Sequence, residues 1–249
     1  MVDEVLDART FKLFGLGKQQ LVVLVHSGSR GLGESIMRGY VGEHQASGSD
    51  PESFAAAAYL RGHDLAVRWA KVNRGILAQR FVQLLGAEAD FLWDGCHNSI
   101  TPLPGLSATL SHRMGEGLGV RAWVHRKGAL AAESEAVVIP GSRGSLSYLV
   151  KPLGDGESCA WSLAHGAGRK WARSEARQRM RERFGMHQLT QTPLGGRVIC
   201  EQRDLLYEEA PAAYKNIENV IQELVGAGLA SVIATFRPLL TYKTRAARR

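Results

Sequence analysis

A chain of 249 residues with 45% hydrophobic and 22% charged residues can bury a substantial core and has the composition of an ordinary globular protein. No apolar run approaches the roughly 20 residues that cross a bilayer, and the acidic start Met1-Val2-Asp3-Glu4-Val5-Leu6-Asp7 lacks the basic-then-apolar order of a signal peptide, so neither a membrane partner nor secretion is expected. The net charge of +7 gathers in two clusters, Arg169 to Arg183 and Lys243, Arg245, Arg248 and Arg249; such clusters favour polyanions, although a solvated helix and tail would carry the same charges.

Gln19 to His26 (QQLVVLVH) is rich in β-formers and runs into a Gly/Ser loop, Ser27 to Gly33, which predicts a strand and then a loop. Asp50-Pro51 offers an N-cap and first-turn pair for a helix reaching about Leu85 and stopped near Gly86. Leu60, Leu65, Val67, Trp69, Val72, Ile76 and Leu77 recur along it at helical spacing. Phe91 to His97 predicts another strand, and the stretch from Arg121 to Val150 holds three more in RAWVHRK, EAVVIP and SLSYLVKP. His165-Gly166-Ala167-Gly168 leads into an arginine-rich helix that stops near Gly185; RVICEQ is strand-like, Ala213 to Val225 helical and Ala230 to Tyr242 strand-like. Without regular βαβ alternation, this order predicts an α+β fold of mixed sheets with surrounding helices, in one domain over residues 1–249. Cys96, Cys159 and Cys200 form no C-x-x-C pair and suit a reducing cytoplasm.

Three glycine-rich loops follow strand-like runs and stand beside a histidine or serines: His26 to Gly33, Pro140 to Ser147, and His165 to Arg169. Successive backbone N–H groups in such loops can point at one anion, and a helix starting there adds its positive end. None is a Walker A loop, and no G-x-G-x-x-G opens a βαβ unit. Among the histidines, His44, His63, His112 and His187 have no partners nearby in sequence and read as surface or capping residues. His26 and His97 each end an apolar run and could present imidazole to a transition metal. His125, flanked by Arg126 and Lys127, suits an anion better than a cation. His165, in a glycine loop ahead of a helix, is placed to attack a phosphorus centre as a neutral imidazole.

HSGSRGLG from His26, DGCHN from Asp94, VHRKGA from Val124, IPGSRGSLSY from Ile139, HGAGRKWARSEA from His165 and EEAPAAYK from Glu208 occur in an order and at spacings that resemble RtcB-type RNA ligases. The likeness runs from about residue 3 to Lys243, and Arg143 together with HGAGRKW resembles the shorter bacterial branch of that family. The resemblance implies a manganese- and GTP-dependent ligase that joins an RNA 3′-phosphate or 2′,3′-cyclic phosphate to a 5′-hydroxyl. It assigns His165 as the residue that becomes guanylylated, and His26 and His97 as ligands of a two-ion manganese site. It matches Asn98, Pro140, Gly141, Ser142, Arg143, Ser147, Gly166, Ala167, Gly168 and Lys243 to guanylate-binding positions, with Lys243 at the base.

Two further motifs of the family, D-x-G-C-G and G-G-N-H-F, do not occur in these 249 residues. The chain is therefore expected to be an N-terminally truncated piece, about the C-terminal two-thirds of the family's domain, that binds metal weakly. Strand alternation would turn Cys96 away from His97, and Asp94 would also point elsewhere. The alternative function is a non-catalytic RNA- or nucleotide-binding remnant. On the arginine-rich helix, Arg169, Arg173 and Arg177 are expected to share a stripe that draws phosphates towards His165, with Arg177 and Arg181 as generic RNA contacts.

Overall fold

β9 (Ala230–Phe236) is rich in β-branched and small apolar residues and lies inside the largest sheet, so both of its edges are paired. The computed structural model describes residues 1–44, 53–103 and 123–243. Two compact units divide the chain: Met1–Val22 with Gly128–Arg249, and Val23–Lys127.

In the first unit the sheet order is β1 (Val2–Val5), β9, β6 (Ser147–Pro152) and β5 (Val137–Ile139), antiparallel throughout. Leu149 and Ile233 from this sheet pack with Val2, Ala136 and Ala234 and with Phe11 of α1 (Ala8–Leu13). Asp7 caps α1 by accepting from the backbone N–H groups of Arg9 and Thr10 at 3.1 and 3.0 Å. Two small ladders follow: β4 (Ala129–Ala131) pairs antiparallel with β7 (Ser162–Ala164), and β8 (Arg197–Ile199) pairs parallel with β10 (Leu240–Tyr242). A second core joins Met180 of α4 (Arg173–Arg183) to Leu189, Val198, Ala210 and Leu206 of α5 (Arg203–Glu208). α6 (Ile217–Gly226) starts at the N-cap Asn216 and buries Ile217 and Ile221.

In the second unit, α2 (Gly31–His44) lies against α3 (Phe54–Leu84), and β2 (Asn98–Pro102) pairs antiparallel with β3 (Trp123–Lys127). The contact of α2 with α3 uses small residues. A Cβ on Gly33 would stand 3.8 Å from Ala66, and one on Gly62 would stand 3.0 Å from Ile36.

The α+β class holds, with helices and several small sheets, and no helix among the described residues is long and apolar enough to cross a membrane. Several local expectations change. Gln19 to His26 forms no strand, because no described strand pairs with it, and Leu21 is 68% exposed. Phe91 to His97 is likewise irregular, and the strand there begins at Asn98. Gly31 to Gly33, expected in a loop, open α2. The long helix is capped by Ser53, whose hydroxyl accepts from Ala56 N–H at 3.1 Å; Asp50 and Pro51 lie outside the described residues, as do His112, Arg121, Arg245, Arg248 and Arg249. Of its apolar residues at helical spacing, Leu65, Trp69, Val72, Ile76 and Leu77 are exposed, and the buried residues are Ala56, Ala66 and Ala70. Close approach of α2 at glycine and alanine selects the small residues for the interface. The strand predicted over Ala230 to Tyr242 is broken by Arg237-Pro238-Leu239 into β9 and β10.

The arginine-rich segment is bound to α5. Arg177 and Arg181 both reach Asp204, the former at 2.9 Å, and Arg173 and Arg177 lie 3.7 Å from Glu208. Arg179 stands over Trp171 and Arg181 over Tyr207. Exposed ion pairs of this kind contribute about 0–1 kcal/mol each, whereas removing a buried methionine side chain costs about 2–5 kcal/mol. Met180 is fully buried. Met180→Ala should therefore lower the urea midpoint several-fold more than Arg181→Ala. Equal losses would show that the ion pairs, and not the core, hold α4 in place.

Candidate functional site

His165 follows the last residue of β7, whose pairing sets Ala164 opposite Ala129. Gly128 stands just before β4 in a left-handed conformation, φ +72°, and its carbonyl oxygen lies 2.6 Å from His165 Nδ1. A carbonyl oxygen only accepts, so Nδ1 carries the proton and the neutral ring has its lone pair on Nε2. A Cβ at position 128 would stand 3.3 Å from His165 Cε1 on an already strained backbone, which is why this approach needs glycine. The helix expected to start at His165 begins instead at Arg173, with Ala172 as N-cap. Residues 168–170 run beside 213–215: Lys170 N–H donates to Ala213 O at 2.8 Å and Lys215 N–H to Gly168 O at 3.1 Å. This pairing straightens the glycine loop and delays the helix.

The loop from Pro140 to Ser147 joins β5 to β6. It was expected to offer backbone N–H groups to an anion, but four of them are bound within the loop, Ser145 N–H to Ser142 O at 3.1 Å among them. Gly141 N–H donates to Ser147 Oγ (3.1 Å), Ser142 N–H to Ser145 Oγ (2.8 Å) and Gly144 N–H to Ser142 Oγ (3.2 Å). The Ser142 and Ser145 hydroxyls also bond each other at 3.0 Å, so the loop is held largely by its own side chains. A Cβ on Gly166 would fall 3.0 Å from Pro140 O, so this loop and the one bearing His165 touch backbone to backbone. Arg143 points inward: it is 6% exposed, its Nη2–H donates to Leu206 O at 2.8 Å, and Nε and Nη1 have no protein partner among the described residues. Burial pulls its pKa down, against the nearby Cys200, Glu209 and Tyr214, which raise it.

Glu209, at the C-terminal end of α5, is the residue that sequence reasoning missed. Its Oε1 receives Arg173 Nη1–H at 2.7 Å and Arg169 Nη1–H at 3.4 Å. Oε2 receives the Tyr214 hydroxyl and lies 3.7 Å from Lys243 Nζ. Arg169 also donates to Tyr214 Oη (3.1 Å) and Glu208 O (2.6 Å), and its guanidinium stands 5.0 Å from the Tyr214 ring centre. Burial alone would raise the Glu209 pKa; the Tyr214 hydrogen bond, Lys243, Arg173 and Arg169 outweigh it and hold the carboxyl below its usual range. Tyr214 is pushed up to about 12, by burial first and then by the Glu209 carboxylate. EEAPAAYK was visible as a motif, but nothing local in it distinguishes Glu209 from Glu208.

In the second unit His26 and His97 meet, their Nε2 atoms 3.1 Å apart and their rings edge to face. Two nitrogens bound about 2.1 Å from one ion at right angles are about 3 Å apart, so the pair fits two positions of a metal. No group of three His, Cys, Asp or Glu side chains suited to a metal occurs among the described residues. Asp94 is held in a two-pronged bond to Arg74 at 2.6 and 2.8 Å, and Cys96 Sγ–H donates to Asn98 O at 3.1 Å. Asn98 opens β2 opposite Lys127, while Arg126, which flanks the expected anion contact His125, is buried and donates to Thr101 Oγ1. Strand alternation sends Arg126 to the opposite face from its neighbours.

A family model described as tRNA-splicing ligase RtcB matches residues 1–244. RNA-splicing ligase RtcB2 of Escherichia coli is 43% identical over 97% of this chain and 60% of its own length. RNA-splicing ligase RtcB of Mycobacterium tuberculosis is 31% identical over 96% of the chain and 60% of its own length. For tRNA-splicing ligase RtcB of Pyrococcus horikoshii the values are 28%, 96% and 31%. The chain thus belongs to the RtcB family, and it spans no more than 60% of the length of these relatives.

Because the folded pKa of Tyr214 is raised, its hydrogen bond stabilises the fold below about pH 10, and that contribution is lost as pH climbs towards about 12. An absorbance titration of tyrosinate should show a late step near pH 12 that Tyr214→Phe removes. A step that survives the substitution would show that Tyr214 is not bonded to a buried carboxylate.

Proposed function

We propose that this chain carries the guanylate-accepting part of a GTP-dependent RNA ligase, with His165 Nε2 as nucleophile. The observation that carries this reading is the hydrogen bond from His165 Nδ1–H to the Gly128 carbonyl, which fixes the lone pair on Nε2. In the proposed reaction Nε2 attacks the α-phosphorus of GTP, and the N–P bond forms as the bond to pyrophosphate breaks. The ring gains positive charge as it attacks. Its Nδ1–H bond to Gly128 O strengthens at that moment, a stabilisation greater in the transition state than before it. GMP then passes to an RNA 3′-phosphate, and the 5′-hydroxyl of a second end displaces it. A 2′,3′-cyclic phosphate serves once water has opened it.

The residues proposed to hold the guanylate are Pro140, Gly141, Ser142, Arg143, Ser147, Gly166, Ala167, Gly168 and Lys243, with Asn98. The hydroxyl of Ser147 accepts from Gly141 N–H and keeps its own proton to donate. His26 and His97 would provide two nitrogen ligands for manganese, which when bound neutralises charge on phosphate oxygens. No step is assigned to the ion, since a third donor does not join them among the described residues. That shortfall also supports a second reading, a cytoplasmic RNA- or nucleotide-binding chain that does not transfer GMP.

Incubation with GTP labelled at the α-phosphate, with manganese, separates the two. Acid-labile label on the chain that vanishes in His165→Ala is expected. RNA or GTP retained without covalent label would establish the second reading, and label persisting in His165→Ala would remove His165 as nucleophile. Gly128→Ala should cut labelling by about 10²-fold, the scale of a small misplacement at a reacting atom, with GTP affinity changed far less.

A further inference from the structure

We propose that Glu209 is a positioning residue for Lys243, holding its ammonium where the guanylate base is read; the inference rests on the nucleotide site proposed above. The carboxylate is 9% exposed and divides its two oxygens between different tasks. Oε1 is taken by Arg173 and Arg169, and Oε2 faces Tyr214 and Lys243.

The separation of Lys243 Nζ from Oε2, 3.7 Å, is the informative distance. It is short enough for attraction and longer than the 2.7–3.2 Å of a made N–H···O bond, so the ammonium is held without its protons being committed to the carboxylate. Lysine needs such a tether. It is a point charge on a flexible four-carbon stem, and a group ordered beforehand loses less freedom when ligand arrives. The backbone on which that stem stands is already fixed, since β10 pairs with β8 and Lys243 N–H donates to Ile199 O at 3.0 Å. Tyr214 completes the arrangement. Its hydroxyl occupies Oε2 from the side of the HGAGR segment, and its ring supports Arg169, the residue that follows the His165 glycine loop. One carboxylate thus links the lysine assigned to the base with the arginine beside the nucleophile's loop.

Binding of a fluorescent N-methylanthraniloyl GMP to the full chain, with the corresponding AMP as control, tests the assignment. Glu209→Gln keeps the shape and can still accept from Tyr214, but it removes the charge that attracts Lys243. It should weaken GMP binding about tenfold, the scale of one lost charge-assisted contact, and narrow the preference for GMP over AMP. Lys243→Ala should do the same, and the double variant should be no worse than either single one, because the two residues act as a unit. A merely structural role for Glu209 gives additive losses and an unchanged GMP-to-AMP ratio, and would overturn the proposal. If Glu209→Gln fails to fold, Glu209→Asp keeps the negative charge in the cluster but draws it back from Lys243; wild-type selectivity in that variant also overturns it. A wild-type chain that takes up no GMP sinks the nucleotide reading itself, whereas normal uptake and selectivity in the Glu209 variants sinks only the role of Glu209.

Discussion

A buried carboxylate surrounded by cations organises the first unit. Glu209 is removed from water, where a charge persists only if its oxygens are met by donors. Arg169, Arg173, Lys243 and the Tyr214 hydroxyl meet them, each from a different part of the chain. Removing one partner of a buried pair typically costs about 3–5 kcal/mol, since it leaves the other charge stranded. The loop after His165, the start of α4, the turn after α5 and the end of β10 are therefore held in register by one acidic group. Charge does not cancel there: Arg143, Arg169, Arg173 and Lys243 outnumber Glu208 and Glu209 and leave a local positive field.

The basic segment divides accordingly. Arg169 and Arg173 turn towards Glu209, while Arg177 and Arg181 are spent on Asp204. An even stripe of arginines on a helical wheel thus separates into residues that shape the site and residues that fasten α4 to α5. Carboxylates 23 to 40 positions further along the chain decide which is which, and helical periodicity contains no information about them.

The same limit runs through the rest of the chain. Long elements with strong local patterns were legible: the helix ending at Leu84, β6 and β9, and the arginine-rich helix. Within the first unit, the motifs also contained Gly128, the Pro140 to Ser147 loop and the His165 segment, which meet one another. Strands whose existence depends on a partner were not legible, so the apolar run ending at His26 was mistaken for one, while short β4 and β7 went unseen. The tautomer of His165 depends on Gly128, 37 residues earlier. Nothing beside the histidine announces that glycine. Glu209 was hidden for the same reason, as one acidic residue among 24 Asp and Glu.

The route of the chain through the first unit has a consequence for its synthesis. β1 is hydrogen-bonded to β9, Val2 opposite Phe236, and the core around Phe11 includes Ile233 and Ala234. At about 5–20 residues per second, translation takes on the order of ten to fifty seconds between those partners. The segment Val23–Lys127 is continuous, so its compact unit is complete in sequence once residue 127 has left the ribosome. The residues around Val2 and Phe11 must wait, apolar and unpaired, until β9 has been made. During that interval the apolar surface around Val2 and Phe11 is open to chaperones or to other nascent chains.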